Sequence, residues 1–575
     1  MIRGRHARVG MILTLLLIFA ACSGAAEETE RGTGTTEQKP GTEDVDEGGT
    51  LAYAAEQEPT GFNMLTSKDG LLELRHIMRH IWPYSYSAQP DFSLKPTPVL
   101  DGAVPVVSED PFVLEWKIAE RAIWSDGVPV SADDFEWVYL NCNGRIDVGE
   151  PTAKDEETGE DITGVDCANT AGYDQISSFD KIDAKTFRAT FDGSYVEYES
   201  LFGDPLPPAH LGKLQPGGWN TGFDADPLVS AGPYRLKEYV KGDHFTLERN
   251  EKYWGPKPHL DTLVFREIPD SANHPDALRN DEVQLINPQP QVDLLDQVTS
   301  IPDVRSEVNF GPAWEHLDFN FKNDLLAVKE VRQAIAWGID RDRYVRTLMK
   351  PFSAKAERLD NRVFMANQPD YEAHGKQYAA RSPAKATAAL EKAGFAKGSD
   401  GIYAKDGKRL SFRIRVNSPN ALREQLEQLM KADLKGVGIE LKIENFGDPE
   451  TIGSVGSSGD FDLFIFEWVG TPFEVSDTQQ TFASDSGANF GGYESPEFDA
   501  AIKKAAGTLD EGERVKELNA IDEMLWEDLP NIPLFQKPAG LLAYSTAYAN
   551  IKDNTTSEGL FWNSEQWGTK SVTAR

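Results

Sequence analysis

The 575-residue chain is poor in cysteine, histidine and basic residues: it has three Cys, nine His, and 58 Lys plus Arg against 93 Asp plus Glu. The resulting net charge of −35 would repel phosphate backbones and anionic lipid, which argues against a nucleic-acid partner. His76 and His80 are spaced i, i+4 on an expected helix, but no Glu follows His76 and no third ligand is evident, so no metal site is expected. There is no Gly-x-Ser-x-Gly elbow and no Walker loop. Ser178–Lys181 and Ser382–Lys385 fit a Ser-x-x-Lys pattern, yet the chain has neither a Ser-Asp-Asn nor a Lys-Thr-Gly partner for them. No enzymatic chemistry and no cofactor are therefore expected. Long apolar runs are also missing. Val9–Ala21 is too short to cross a hydrocarbon core that needs about 20 residues, so no transmembrane helix is expected.

What is present is a globular composition, 40% hydrophobic with 48 Gly and 34 Pro, long enough for several folding units or two large lobes. Arg3, Arg5 and Arg8 precede the apolar run, which ends in Ala20-Ala21 before Cys22, so residues 1–21 read as a secretory signal. Phe19-Ala20-Ala21-Cys22 resembles the bacterial lipobox, which would make Cys22 the lipidated first residue; ordinary signal cleavage is the alternative. Ser23–Gly49 is acidic and lacks apolar periodicity, so residues 22–49 are expected to be a flexible tether, with order beginning near Thr50. Cys142 and Cys167 form an even pair in a secreted chain, which points to a disulfide over two free buried thiols.

Helix punctuation is clear. Ser131 and Asp134 form a capping-box start, and Ser382-Pro383, Ser418-Pro419 and Ser495-Pro496 each place an N-cap serine before a first-turn proline. Those last three helices are expected to stop at Gly394, Gly436 and Gly507. Strands with period two alternate with them, at Phe412–Val416 and Ile439–Ile443, and Asp406-Gly407 reads as a hairpin turn, so the class is α/β.

Five segments in order carry a family resemblance: Trp124–Phe135, Ala231–Leu236 with Tyr253-Trp254-Gly255, Phe319-Asn320 with Val331–Ala336, Gly492–Asp499, and Ile532–Phe535. Together they resemble the bacterial extracytoplasmic solute-binding proteins of family 5, the oligopeptide-, dipeptide- and nickel-binding components of ABC importers. The resemblance implies a two-lobed periplasmic-binding-protein-like fold of type II, in the large cluster with an extra subdomain and the ligand in the interlobe cleft. Lobe I would comprise residues 50–80, 205–312 and 531–575, the subdomain 81–204, and lobe II 313–530, with hinge strands at Glu315–Asn320 and Asn531–Phe535. It further implies a non-enzymatic monomer that holds a peptide-like ligand and serves permease subunits with a cytoplasmic ATPase. Its place would be the outer face of the cytoplasmic membrane, on a lipid anchor. The alternative on the same fold is a regulator that binds an envelope glycolipid or senses a peptide signal.

In similar peptide-binding proteins one loop carries Trp, then Gly or Ala, then an Asp that pairs with the ligand's α-ammonium. Here the loop is Glu467-Trp468-Val469-Gly470-Thr471, and Thr471 stands at the Asp position. A buried ammonium needs a full counter-charge. Glu467, Glu474 or Asp477 would have to supply it, or the ligand lacks a free N-terminus. On the first lobe, Tyr53 and Glu56-Gln57-Glu58 are expected at the ligand backbone. Asn417 and Asn420 are candidates at a strand-to-helix turn, where local cap bonding is the competing role.

Overall fold

The computed structural model describes residues 43–570 except 60, 67–68, 71, 146–150, 155–160, 164, 216, 419 and 448–451. The signal segment, Cys22 and Pro419 lie outside the described residues.

Ten strands form one mixed sheet. They are β1 (Thr50–Ala55), β2 (Tyr234–Val240), β3 (His244–Arg249), β4 (Thr262–Glu267), β5 (Leu285–Ile286), β6 (Val304–Phe319), β7 (Ser411–Arg415), β8 (Glu440–Ile443), β9 (Leu463–Val469) and β10 (Asn531–Ser545). Their order is β2-β3-β4-β1-β5-β10-β6-β9-β7-β8. The strands β1, β4 and β5 run parallel, as do β7, β8 and β9, while the long β6 and β10 are antiparallel partners from Val304↔Ser545 to Asp318↔Asn531.

These two strands serve two cores. Leu541 and Ala543 of β10 pack with Ala54, Ile286 and Val298 in the first half. Leu317 and Phe319 of β6 join Ile532 and Leu534 of β10 in a second core with Val331, Ile335, Ile414 and Ile465. Between the halves the ladder loses register three times, at Asn309/Phe310, Phe310/Trp314 and Glu315/His316. Broken ladder bonds leave a strand pair free to twist there. The expected hinge segments are paired to each other, but most of the irregularity lies just before Glu315.

The capping logic acts much as read. Ser131 and Asp134 form a reciprocal capping box on the helix Ala132–Cys142. The buried Asp134 also accepts from Ala209 N–H at 2.9 Å, and its carboxyl is pushed up to about 6 by burial, against those hydrogen bonds. Ser495 accepts from Phe498 N–H and opens Pro496–Gly507. Two starts differ: Ser382 precedes the helix Pro383–Lys392 but its side chain makes no cap hydrogen bond, and the helix Ala421–Lys435 is capped by Asn420, which accepts from Arg423 N–H at 3.0 Å. The Ser418 hydroxyl instead donates to Glu424 at 2.6 Å. Asp406 and Gly407 both take positive φ, 52° and 76°, as a two-residue hairpin turn of this hand requires.

A separate four-stranded antiparallel sheet, Val106–Glu109, Phe112–Lys117, Thr186–Phe191 and Ile176–Lys181, supports the Ala132–Cys142 helix. Trp116 stacks on Phe187 with ring centroids 5.2 Å apart. Cys142 and Cys167 are joined in a disulfide. The Trp124–Gly127 motif is a tight turn: Trp124 is fully buried, Gly127 has φ 99°, and Asp126 accepts from Val128 N–H.

Order begins before Thr50. Val45–Asp46 pairs with Gly568–Lys570, Asn550 accepts from Glu43 N–H, and Glu47 meets His259 at 2.8 Å and Arg249 at 3.3 Å. The acidic residues at the end of the expected tether have basic partners on the folded body, so this stretch is pinned.

Candidate functional site

Strand β9 alternates two faces. Phe464, Phe466 and Trp468 share one face with Phe446, Phe461 and Phe490, while Leu463 and Ile465 point into the second core. Trp468 lies opposite Trp314 of β6, and Glu467 opposite Glu315. The indole ring of Trp468 is half-buried; it lies parallel to the His316 ring at 6.3 Å and edge-on to Phe466 at 5.1 Å. Its Nε1–H and the Nε2 of His316 are buried with no hydrogen-bond partner. Val469, next along, is 64% exposed. The strand therefore ends as an aromatic wall with an unpartnered donor, followed by exposed Val469 and by Gly470, whose N–H donates to the Pro312 carbonyl at 3.1 Å.

The other face carries charge. Glu315 is fully buried and takes Arg423 Nε at 2.5 Å, with Lys537 Nζ at 3.5 Å. Lys537 also pairs with Glu467, and Asn417 accepts from Arg423 at 2.6 Å. Burial alone would raise the Glu315 carboxyl, but the Arg423 and Lys537 cations outweigh it and hold it below its ordinary range. Two acids and two bases compensate one another here, at the place where β6, β9 and β10 meet.

Past Gly470 the charge is of one sign. Thr471 donates to Asp477 through its backbone N–H at 2.5 Å and its hydroxyl at 3.1 Å. Asp477 sits in the first turn of the helix Glu474–Phe482, beside Glu474, which accepts from Gln368 at 3.0 Å. The end of this helix is capped from 278 residues away: Glu197 accepts from Val475 N–H at 2.8 Å, Ser476 N–H at 3.1 Å and the Ser476 hydroxyl. Burial pushes Glu474 and Asp477 up to about 7, and the neighbouring Glu197 carboxylate adds to both shifts. Burial raises Glu197 as well, against its hydrogen bonds to Ser476. The Arg514 guanidinium acts on Glu197 and Glu474 only as a lesser influence. Buried Glu197 and half-buried Glu474 and Asp477 thus gather without an ion-paired cation among the described residues.

Of the expected site residues, Glu467, Trp468, Val469, Gly470 and Thr471 are consecutive on this strand end. Tyr53 is instead a core residue, 3% exposed, edge-on to Phe561 and Phe265 and donating to Glu73 at 3.2 Å. Glu58 accepts from the Tyr239 hydroxyl and Gly242 N–H, Gln57 is exposed, and Glu56 is half-buried with Oε1 unpartnered and its carboxyl raised by burial. Among the described residues no hydrogen bond, ion pair or ring contact joins this loop to Glu467–Thr471. Asn420 is occupied as a helix cap and Asn417 as a support for Arg423. Among the described residues, no group of three or more His, Cys, Asp or Glu is placed to hold a metal ion, and no helix is long and apolar enough to cross a membrane. Sequence reasoning placed Glu315 and His316 only within an expected hinge strand, and missed Arg423, Lys537 and Glu197. Lys537 follows the expected hinge segment Asn531–Phe535 by two residues, and that adjacency was the available signal for it.

Two α/β halves joined by a crossing strand pair, with an aromatic and charged strand end at the crossing, define a two-lobed binding protein. The description "Bacterial extracellular solute-binding proteins, family 5 Middle" matches residues 95–490, and the chain belongs to that family. The oligopeptide-binding protein OppA of Mycobacterium tuberculosis is 27% identical over 560 residues, covering 94% of this chain and 90% of that relative. The structure of the periplasmic EDTA-binding protein EppA superposes with a TM-score of 0.81 at 25% identity, over 92% of this chain and 98% of that one. The oligopeptide-binding protein AppA from Bacillus subtilis, in complex with a nonapeptide, superposes with a TM-score of 0.68 at 22% identity, over 92% of this chain and 100% of that one. The protein is thus a solute-binding member of an ABC-importer family, not an enzyme.

Proposed function

We propose that this protein captures an oligopeptide by its free N-terminus between the two lobes and delivers it to a membrane permease driven by a cytoplasmic ATPase. It works as a monomer held to the outer face of the cytoplasmic membrane through lipidated Cys22. Lobe closure turns on the irregular stretch of β6 and its partner segment of β10. Closure is favoured by the ligand because only the closed state offers contacts from both sides.

The observation that carries this reading is the Thr471–Asp477 pairing. Thr471 cannot neutralise an ammonium, but it holds Asp477 beside the position, within a patch that also contains Glu474 and Glu197. An entering ammonium supplies the positive charge that this patch lacks. Glu467 is unsuited to that role because Lys537 already occupies it. Trp468 then walls the ligand, and the backbone at Val469 and the Gly470 carbonyl, whose own N–H is given to Pro312, bonds the peptide main chain, a mode that tolerates many side chains.

A thermal-shift screen of the chain without residues 1–22 tests this against di- to octapeptide pools, N-acetylated versions of them, and envelope glycolipid extracts. The reading expects the midpoint to rise with free but not acetylated peptides. A rise with glycolipid alone would contradict it and favour the regulator.

A further inference from the structure

A cavity of about 300 Å³ opens in the first half of the molecule, and every residue lining it comes from 76–99, 231–256 or 558–566. It shares no residue with the site around Trp468. Its walls include the rings of Tyr84, Tyr253, Trp254 and Trp562 and five prolines. Lys95 and Pro256 at the rim are exposed, while His76 on the floor is 4% exposed.

Polar atoms on the floor are left over. Both ring nitrogens of His76 and the Nε–H of Arg79 are buried without hydrogen-bond partners, and the nearest ion-pair contact of His76 is Glu73 at 3.7 Å. A buried polar group in that state is costly, so a guest able to pair with it is favoured. The end of the Arg79 guanidinium is already engaged, paired with Glu558 and lying 4.6 Å over the Tyr84 ring. Glu558 in turn accepts from the Tyr84 hydroxyl at 2.7 Å and from Ala88 N–H at 3.1 Å. That ion pair is complete. Two lining charges of opposite sign remain, Lys95 and Glu565, and neither forms an ion pair with a described residue. Glu565 accepts a 3.5 Å hydrogen bond from Gln566, and burial raises its carboxyl.

We infer that this cavity is a second ligand site, for a small zwitterion of the aromatic or prolyl α-amino acid class. Its ammonium meets Glu565, its carboxylate is drawn to Lys95 and the Arg79 Nε–H, and its side chain lies among the aromatic rings and prolines. A simple cation would face Arg79 and Lys95, and a simple anion would face Glu558 and Glu565; a zwitterion satisfies both signs. The volume lies at the lower end of small-molecule pockets, which suits a single amino acid. The inference does not depend on what the interlobe site binds.

The test is calorimetric titration of the full chain with L-phenylalanine, L-tyrosine, L-tryptophan and L-proline, and with N-acetyl-L-phenylalanine and L-phenylalaninamide, each of which lacks one charge. Saturable binding is expected for at least one free amino acid, with both blocked derivatives weaker than L-phenylalanine by about tenfold or more. Glu565→Gln should abolish the preference over the acetylated form, Lys95→Met the preference over the amide, and Trp468→Ala should change neither. The inference is overturned if no free amino acid binds saturably, or if blocked and free forms of the native chain bind alike. It is equally overturned if Trp468→Ala removes binding that Glu565→Gln leaves intact, since the probe then sits between the lobes.

Discussion

At the scale of single residues, Trp468 and Glu315 make opposite predictions. Trp468 is half-buried with a free indole N–H, so Trp468→Ala should weaken peptide binding by about tenfold or more while costing no more than about 2 kcal/mol of ligand-free stability. Denaturant titration without ligand checks this. A loss of about 3–5 kcal/mol, as for a fully buried aromatic, would mark Trp468 as core instead. Glu315 lies under the site and compensates Arg423 and Lys537. Glu315→Gln leaves both cations against a neutral group and should destabilise the protein by about 3–5 kcal/mol. The pH dependence has a fixed sign: a carboxyl held below its ordinary value contributes stability above about pH 4.3, and that stability is lost as pH falls through the lower folded value. The place of Trp468 at the end of a strand was legible from the apolar run Phe461–Phe466 that leads into it. The role of Glu315 was not, because its partner Arg423 is 108 residues away and no local pattern announces the pair.

At the scale of elements, the N-terminal turn of the helix Glu474–Phe482 is the informative piece. Glu474 and Asp477 are held up to about 7 by burial and by Glu197 beside them. A carboxyl raised on folding binds protons that the unfolded chain has released. Its stabilising contribution is therefore fully present below about pH 4 and is lost as pH rises through the folded value. Ligand-free thermal midpoints should fall across neutral pH, and Asp477→Asn should flatten that fall. Affinity for a free-amino peptide should move the other way and rise through the same range, because the ionised acids are what an ammonium pairs with. A flat affinity profile over that range would argue that the patch does not meet the ligand. The sequence shows acids near Thr471 but not which one returns to it; the link is made by a turn and a helix start. Local signals did better where the contact is local, as with the capping box at Ser131 and Asp134. The Ser418-Pro419 start was misplaced because Asn420, two residues on, offers a competing cap.

At the scale of the whole molecule, the order of weak motifs made the fold legible, since each marks a turn or packing plug that this architecture reuses. Gly232, for instance, is required because a Cβ there would lie 2.2 Å from the His80 carbonyl oxygen. Tyr53 shows the limit of that reading: a first-strand aromatic serves the core as readily as a cleft. The crossing of β6 and β10 connects two cores through a broken ladder, so the lobes should move as bodies about it. Small-angle scattering is expected to show a smaller radius of gyration on adding a binding peptide, and an unchanged radius would remove closure from the account. The most direct test of the central claim is calorimetric titration of one pentapeptide, free and N-acetylated, into the native chain and Asp477→Asn. The account predicts that the native chain binds the free peptide about a hundredfold more tightly than the acetylated one and that Asp477→Asn loses most of that difference. Equal binding of the two peptides by the native chain would contradict it.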